Sequence, residues 1–161
     1  MTRLANSRYC FVCGLENQDG LHLVMESQGK GRVKGRINIP RKFQGWPGIA
    51  HGGIISAILD EAGGRTTEDK AIPEHVYLTG TLNVRFRHPV KCDIPLLVEA
   101  ELIKRHGRVV TSRSCLMDEE RLVLAEAEGT YVQIETEFET GLASAGDEWV
   151  LVEDKEGSDD H

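Results

Sequence analysis

Residues 45–64, GWPGIAHGGIISAILDEAGG, constrain this chain more than any other stretch. A loop punctuated by Pro47 and Gly48 runs into His51-Gly52-Gly53, and Ile54 to Ala62 follow as a mostly aliphatic run without strand-like alternation. Loop signals ahead of such a run predict a buried helix with His51 at its N-cap end. Within it stands one conspicuous carboxylate, Asp60. On a helix its neighbours three, four and seven positions back are Ala57, Ser56 and Gly53, with Gly63 and Gly64 on the next turn. Asp60 therefore projects from a face of small residues, which leaves room for another molecule or for a closely approaching backbone. Glu61 faces elsewhere, and Arg65 four residues on accounts for it as a surface ion pair.

The helix start carries chemistry of its own. The N–H groups of Gly52 and Gly53 are among the orphan donors of a helix N-terminus, where the positive end of the dipole also lies. Donors of this kind can hold a carbonyl oxygen that becomes an oxyanion. Gly52 and Asp60 are eight residues apart, about 12 Å along a helix axis. One carbonyl group cannot meet both within one helix, so joint action of the two predicts a homodimer. His51 is a candidate base, although its protonated form is disfavoured beside the dipole, which favours a supporting role.

The remaining elements follow from periodicity. Leu21–Glu26 and Arg32–Ile39 read as a β-hairpin ended by Pro40, whose basic residues form a solvated face. From Thr79, Leu82, Val84 and Phe86 alternate against Thr81, Asn83, Arg85 and Arg87 in a strand ended by Pro89. Strands are also expected at about 96–104, 108–117 and 122–134, with His106-Gly107 and Asp118-Glu119-Glu120 as the links. Two strands, one helix and four strands make an α+β layout in which the helix covers an antiparallel sheet.

These motifs together resemble a known group. HGG before an aliphatic helix, Asp nine residues after the His, LTGTLNVRFRHPV, and an N-terminal CFVCG followed by GLHL are similar to the hotdog-fold acyl-CoA thioesterases of the PaaI-like and 4-hydroxybenzoyl-CoA thioesterase superfamily. The resemblance spans roughly residues 10–134 and implies an antiparallel sheet wrapped around one long central helix. It also implies hydrolysis of an acyl-CoA thioester to a carboxylic acid and CoA, with Asp60 as nucleophile or general base and Gly52 of a partner subunit as oxyanion donor. Gln44 falls where relatives place an amide near the substrate carbonyl, Thr79 where they carry a hydroxyl beside the carboxylate, and His51 is cast as a supporting residue. Gly53 and Ser56 are candidates for the substrate side of the helix. Arg85, Arg87, Lys104, Arg105 and Arg108 are candidates for the CoA phosphates, against the plain reading of basic strand faces and hairpin ends. Two alternatives stay open: a hotdog acyl-CoA hydratase or dehydratase, which would pair a His with an acid, and a non-catalytic acyl-CoA binding protein.

Composition sets the bounds. At 161 residues and 40% hydrophobic content one domain is expected over 1–135. The net charge of −7 is misleading, because residues 135–161 hold ten acids against Lys155 alone, leaving 18 bases and 16 acids in 1–134. A near-neutral body suits an anionic ligand and lacks the basic bias of a nucleic-acid binder. Residues 136–161 read as an acidic, flexible tail in which Trp149–Val152 is the one segment apolar enough to dock. No stretch is long and apolar enough to span a bilayer and MTRLANSRYC lacks a signal-peptide core, so a cytoplasmic location and a homodimer or dimer of dimers without a membrane partner are expected. Cys10 and Cys13 form a C-x-x-C, but Cys92 and Cys115 bring no second pair and no βαβ unit lies beside it. The pair reads as a small buried turn, with no metal and no organic cofactor required.

Overall fold

The computed structural model describes residues 1–68, 70, 73–134 and 149–151. Its elements are β1 (Thr2–Arg3), β2 (Asn6–Ser7), β3 (Val24–Gly29), β4 (Arg32–Asn38), α1 (Gly52–Arg65), β5 (Tyr77–Phe86), β6 (Pro95–His106), β7 (Val109–Met117), β8 (Val123–Gln133) and β9 (Trp149–Val150), with a 3-10 turn at Arg41–Phe43. Seven strands form one antiparallel sheet in the order β1-β3-β4-β6-β7-β8-β5, and β2 pairs with β9. The sheet curls around α1, which packs against β4, β5, β6, β7 and β8. This is the hotdog arrangement expected from the resemblance. Among the described residues no helix is long and apolar enough to cross a membrane. Most of the span 136–161 lies outside the described residues.

Several boundaries differ from the sequence expectation by a few residues, two of them for reasons visible in the hydrogen bonding. Leu21 to Leu23 do not extend β3; their N–H groups turn back to the N-terminal loop, Leu21 to the Phe11 carbonyl and Leu23 to the Val12 carbonyl, each at 2.9 Å. The helix also runs to Arg65, three residues past Ala62, because Thr66 closes it: its Oγ1 donates to the Gly63 carbonyl at 2.8 Å. At the other end the His51 ring caps the helix by accepting the Gly53 N–H at 2.9 Å.

Ile55, Ile58, Leu59 and Ala62 form the buried stripe of α1 and share one core with Leu96, Val98, Leu116, Ala125 and Ala127. Burial of each large aliphatic side chain contributes about 1.5–3 kcal/mol. The small residues on β8 allow the helix to come close, and hydroxyl groups then fix its height over the sheet. Ser114 on β7 donates to the Leu59 carbonyl at 2.8 Å, and Tyr131 on β8 donates to the Asp60 carbonyl at 3.1 Å. Left unpaired, such buried hydroxyls would cost about 1–3 kcal/mol each.

The small-residue face of the helix is partly filled by Tyr131, which is 2% exposed. A Cβ on Gly63 would collide with the Tyr131 hydroxyl, and one on Gly129 would lie 2.6 Å from it. A Cβ on Gly64 would meet the same ring at 3.5 Å, an ordinary contact. The two adjacent glycines should therefore respond in opposite directions. In urea unfolding, Gly63→Ala is expected to lose about 1–3 kcal/mol by overpacking, and Gly64→Ala to gain about 0.5–1 kcal/mol from the mid-helix glycine it replaces.

Candidate active site

Asp60 lies beside the buried stripe of α1 and turns toward the start of β5. Along β5, Leu82, Val84 and Phe86 stand opposite Gly129, Ala127 and Ala125 on the helix side of the sheet. Regular alternation would put Thr79 with Thr81 on the far side. The register shifts between Thr79 and Thr81, so that Thr79 stands opposite Tyr131 while Thr81 stands opposite Thr130. The extra residue, Gly80, is a β-bulge that turns Thr79 inward. There its hydroxyl donates to the Asp60 carboxylate, 3.0 Å from Oδ1 and 3.1 Å from Oδ2.

The half-buried Asp60 carboxyl is pushed above the ordinary carboxylate value by burial, opposed by the Thr79 and Tyr131 hydroxyls and reinforced by the neighbouring Glu61. Burial also raises the Tyr131 phenol, so its hydroxyl stays a donor. Asp60 opens on a cavity of about 400 Å³ bounded by Glu61, Arg65, Tyr77, Thr79, Tyr131 and Trp149, with Cys10 and Cys13 in its wall.

Part of this wall corrects the sequence reading. Glu61 and Arg65 do pair, Oε1 to Nε at 3.6 Å, but not at the surface: their side chains are 18% and 6% exposed. Arg65 is buried because the N-terminal segment and β9 close over it. It donates to the Ala5 carbonyl, pairs with Glu68 at 3.0 Å, and lies 5.8 Å from the centre of the Trp149 ring. Burial pushes Glu68 up to about 7 even with that guanidinium beside it.

At the other end of α1 the two glycine N–H groups are not equivalent. The Gly53 N–H is taken by His51, whereas the Gly52 N–H meets no acceptor among the described residues. Phe86, at the end of β5, sits against Gly52, 3.4 Å from where a Cβ would be. Gln44 braces the preceding loop, its Oε1 accepting the Gly48 N–H at 2.8 Å. The Ser56 hydroxyl donates back to the Gly52 carbonyl at 2.8 Å.

The basic candidates divide. Arg85 stands opposite Glu126 on the side of the sheet turned from α1, and Arg87 pairs with Glu126 at 2.5 Å, so neither joins Asp60 within one chain. Lys104 lies near the end of β6, and Arg108 in the β6–β7 turn takes the Gln133 N–H on its carbonyl at 2.8 Å. Arg105 reaches the cavity rim: its Nη1 donates to the Tyr77 hydroxyl at 2.6 Å. Tyr131, Tyr77 and the buried Arg65 went unrecognised from sequence. The signal for Tyr131 was the set of glycines, Gly63, Gly64 and Gly129, whose missing side chains its ring replaces.

Comparison with known proteins agrees with this architecture. The Thioesterase superfamily profile matches residues 47–125. A protein of Saccharolobus solfataricus named as an esterase is 33% identical over 122 residues, 74% of this chain and 79% of that one. The mouse acyl-coenzyme A thioesterase THEM4 is 32% identical over 97 residues, 59% of this chain but only 40% of THEM4, so the chain spans about two fifths of that relative's length. The crystal structure of a thioesterase superfamily protein superposes with a TM-score of 0.70 at 27% identity, covering 78% of this chain and 63% of that one. The chain belongs to the thioesterase superfamily and has its hotdog fold.

The raised Asp60 carboxyl has a consequence for stability. The folded chain holds this proton more tightly than the unfolded chain does, so the associated stability is complete below the ordinary carboxylate value of about 4 and is lost as pH rises through the higher folded value. Asp60→Asn, which keeps an acceptor for Thr79 and cannot ionise, is expected to melt above the wild type at pH 7. Calorimetry should show that advantage shrinking toward zero below about pH 4.

Proposed function

We propose that this protein hydrolyses acyl-CoA thioesters to a carboxylic acid and CoA. The observation that carries the reading is the Asp60 carboxylate, half-buried in a cavity and held through both oxygens by Thr79. The raised affinity of Asp60 for a proton suits a general base. Asp60 takes a proton from water as the water oxygen bonds to the thioester carbon. The carbonyl oxygen becomes an oxyanion, which accepts from the Gly52 N–H of the partner subunit at the positive end of α1. Collapse breaks the C–S bond and releases CoA as a thiolate, a leaving group good enough to need no strong general acid. In the competing role Asp60 attacks the carbon itself, CoA leaves as a thiolate, and water then opens the resulting mixed anhydride; unlabelled acid from a single turnover in 18O-water would establish that route, since direct attack by water always labels the acid. Arg105, at the cavity rim, is the candidate contact for the CoA phosphates.

The geometry of β5 supports a dimer. This strand is an edge of the sheet, pairing with β8 alone among the described residues, with Leu78 and Phe86 50% and 54% exposed. It runs from Thr79 beside Asp60 to Phe86 beside Gly52. Antiparallel pairing of two copies of β5 about their middle brings the Asp60 end of one to the Gly52 end of the other, twice by symmetry. The hydratase alternative has less support, because His51 Nδ1 is engaged by the Gly53 N–H.

Thiol release from aliphatic and aromatic acyl-CoAs tests the reading. Asp60→Asn is expected to lower kcat by about 10²–10⁴-fold. Binding of acyl-CoA without turnover by the wild type would overturn hydrolysis in favour of the binding-protein alternative. Thr79→Ala removes a donor to the ionised form, so the acid limb of its pH–rate profile is expected to move to higher pH.

Sharing of the site between subunits has its own test. Gly52→Pro deletes the one N–H in question at a first helical position, where proline is tolerated. Refolding a mixture of the inactive Asp60→Asn and Gly52→Pro chains should restore about a quarter of wild-type activity, since half of the dimers formed at random are mixed and each mixed dimer has one intact site. No recovery would overturn the pairing of Asp60 with the partner subunit's Gly52 N–H.

A further inference from the structure

Cys10, Cys13 and Glu61 are not needed for the reaction above, yet the fold brings them together. The two Sγ atoms and a Glu61 carboxylate oxygen lie within 4.8 Å of one another. We propose that Cys10, Cys13 and Glu61 bind one thiophilic divalent cation, zinc by preference, which clasps the N-terminal turn to α1.

The separations suit tetrahedral coordination. Thiolate and carboxylate ligands at about 2.3 and 2.0–2.2 Å from zinc stand about 3.5–3.8 Å from each other; Cys10 Sγ and Glu61 Oε2 are 3.7 Å apart. Three protein donors leave the fourth position to water from the adjoining cavity. Supporting contacts hold Cys10 and Glu61 in place, as ligands generally require. The N–H groups of Val12 and Cys13 donate to Cys10 Sγ at 3.3 and 3.4 Å, an arrangement that favours a thiolate. The other Glu61 oxygen faces Arg65 Nε at 3.6 Å, which leaves Oε2 turned to the sulfur. A Cβ on Gly14 would run into the Cys10 carbonyl, so the turn that presents both sulfurs depends on that glycine.

Charge and donor type select the ion. Two thiol protons exchanged for one dication leave the net charge of the half-buried cluster unchanged, so binding adds no uncompensated charge beside Glu61, Arg65 and Glu68. Soft sulfur donors select zinc over magnesium and calcium, which take oxygen ligands. The sequence spacing alone showed two donors, and the third arrives from α1, 48 residues beyond Cys13.

The test uses the full chain, stripped with chelator and kept reduced with a phosphine. Cobalt(II) titration is expected to give a thiolate-to-metal charge-transfer band saturating at one ion per chain, displaced by zinc, and zinc should raise the melting temperature. Cys10→Ser should weaken cobalt binding and at least halve the band, since only the Cys13 thiolate remains. Glu61→Gln should weaken zinc binding by at least the ~10–100-fold that loss of even a supporting contact costs, and Asp60→Asn should bind as the wild type does. Circular dichroism verifies folding, and where Cys10→Ser fails to fold Glu61→Gln decides. Absence of the band in the wild type, or Glu61→Gln binding zinc as tightly as the wild type, would overturn the proposal.

Discussion

The distance between α1 and β8 is set by one aromatic ring. Tyr131 fills the space left by Gly63 and Gly129, and its hydroxyl ends on the carbonyl of Asp60. A larger residue at either glycine would lift the helix from the sheet; a smaller one at 131 would leave a void and an unsatisfied carbonyl. The same contact fixes the height at which the Asp60 side chain leaves the helix, so core packing and the geometry of the site are one constraint. The small residues around Asp60 make room mainly for part of the protein itself, and the cavity occupies what Tyr131 leaves open.

A second constraint acts along β5. The bulge at Gly80 reverses the direction of Thr79 without disturbing Leu82, Val84 and Phe86, which keep their places against the helix. One strand thereby serves two ends of α1: its start holds the carboxylate, and its end packs on the glycine whose N–H meets no acceptor among the described residues. Because helix length separates those ends, the chemistry proposed here needs a second copy, and an open sheet edge is the surface through which a copy can join.

The cavity wall is unusual in its charge. Glu61, Arg65 and Glu68 are shielded by the first residues of the chain and by Trp149, and Asp60 lies next to them. Shielding from water favours the protonated forms of Asp60 and Glu68. The protein thus gives up some stability at neutral pH to keep a carboxylate partly desolvated, the condition under which such a group is a stronger base.

Periodicity made most of the fold legible. The strands β4, β6, β7 and β8 and the central helix stand within a few residues of their expected places, because burial on one side imposes period two on a strand and an unbroken apolar run suits an enclosed helix. Asp60 stood out as one carboxylate among small residues, and His51 as a cap. What sequence spacing did not reveal was contact between distant segments: the Tyr131 ring against Gly63, the buried state of Arg65, and the meeting of Glu61 with Cys10. Thr79 is the sharpest instance. Its alternation with Thr81 places it on the outer side of the sheet, and only the resemblance suggested otherwise. The sequence by itself determined the elements, their order and the position of the carboxylate on its helix, since these depend on local geometry and apolar pattern. Tertiary structure alone decided which groups surround that carboxylate, since a bulge of one residue and the close approach of helix and strand are set by packing between segments far apart in the chain.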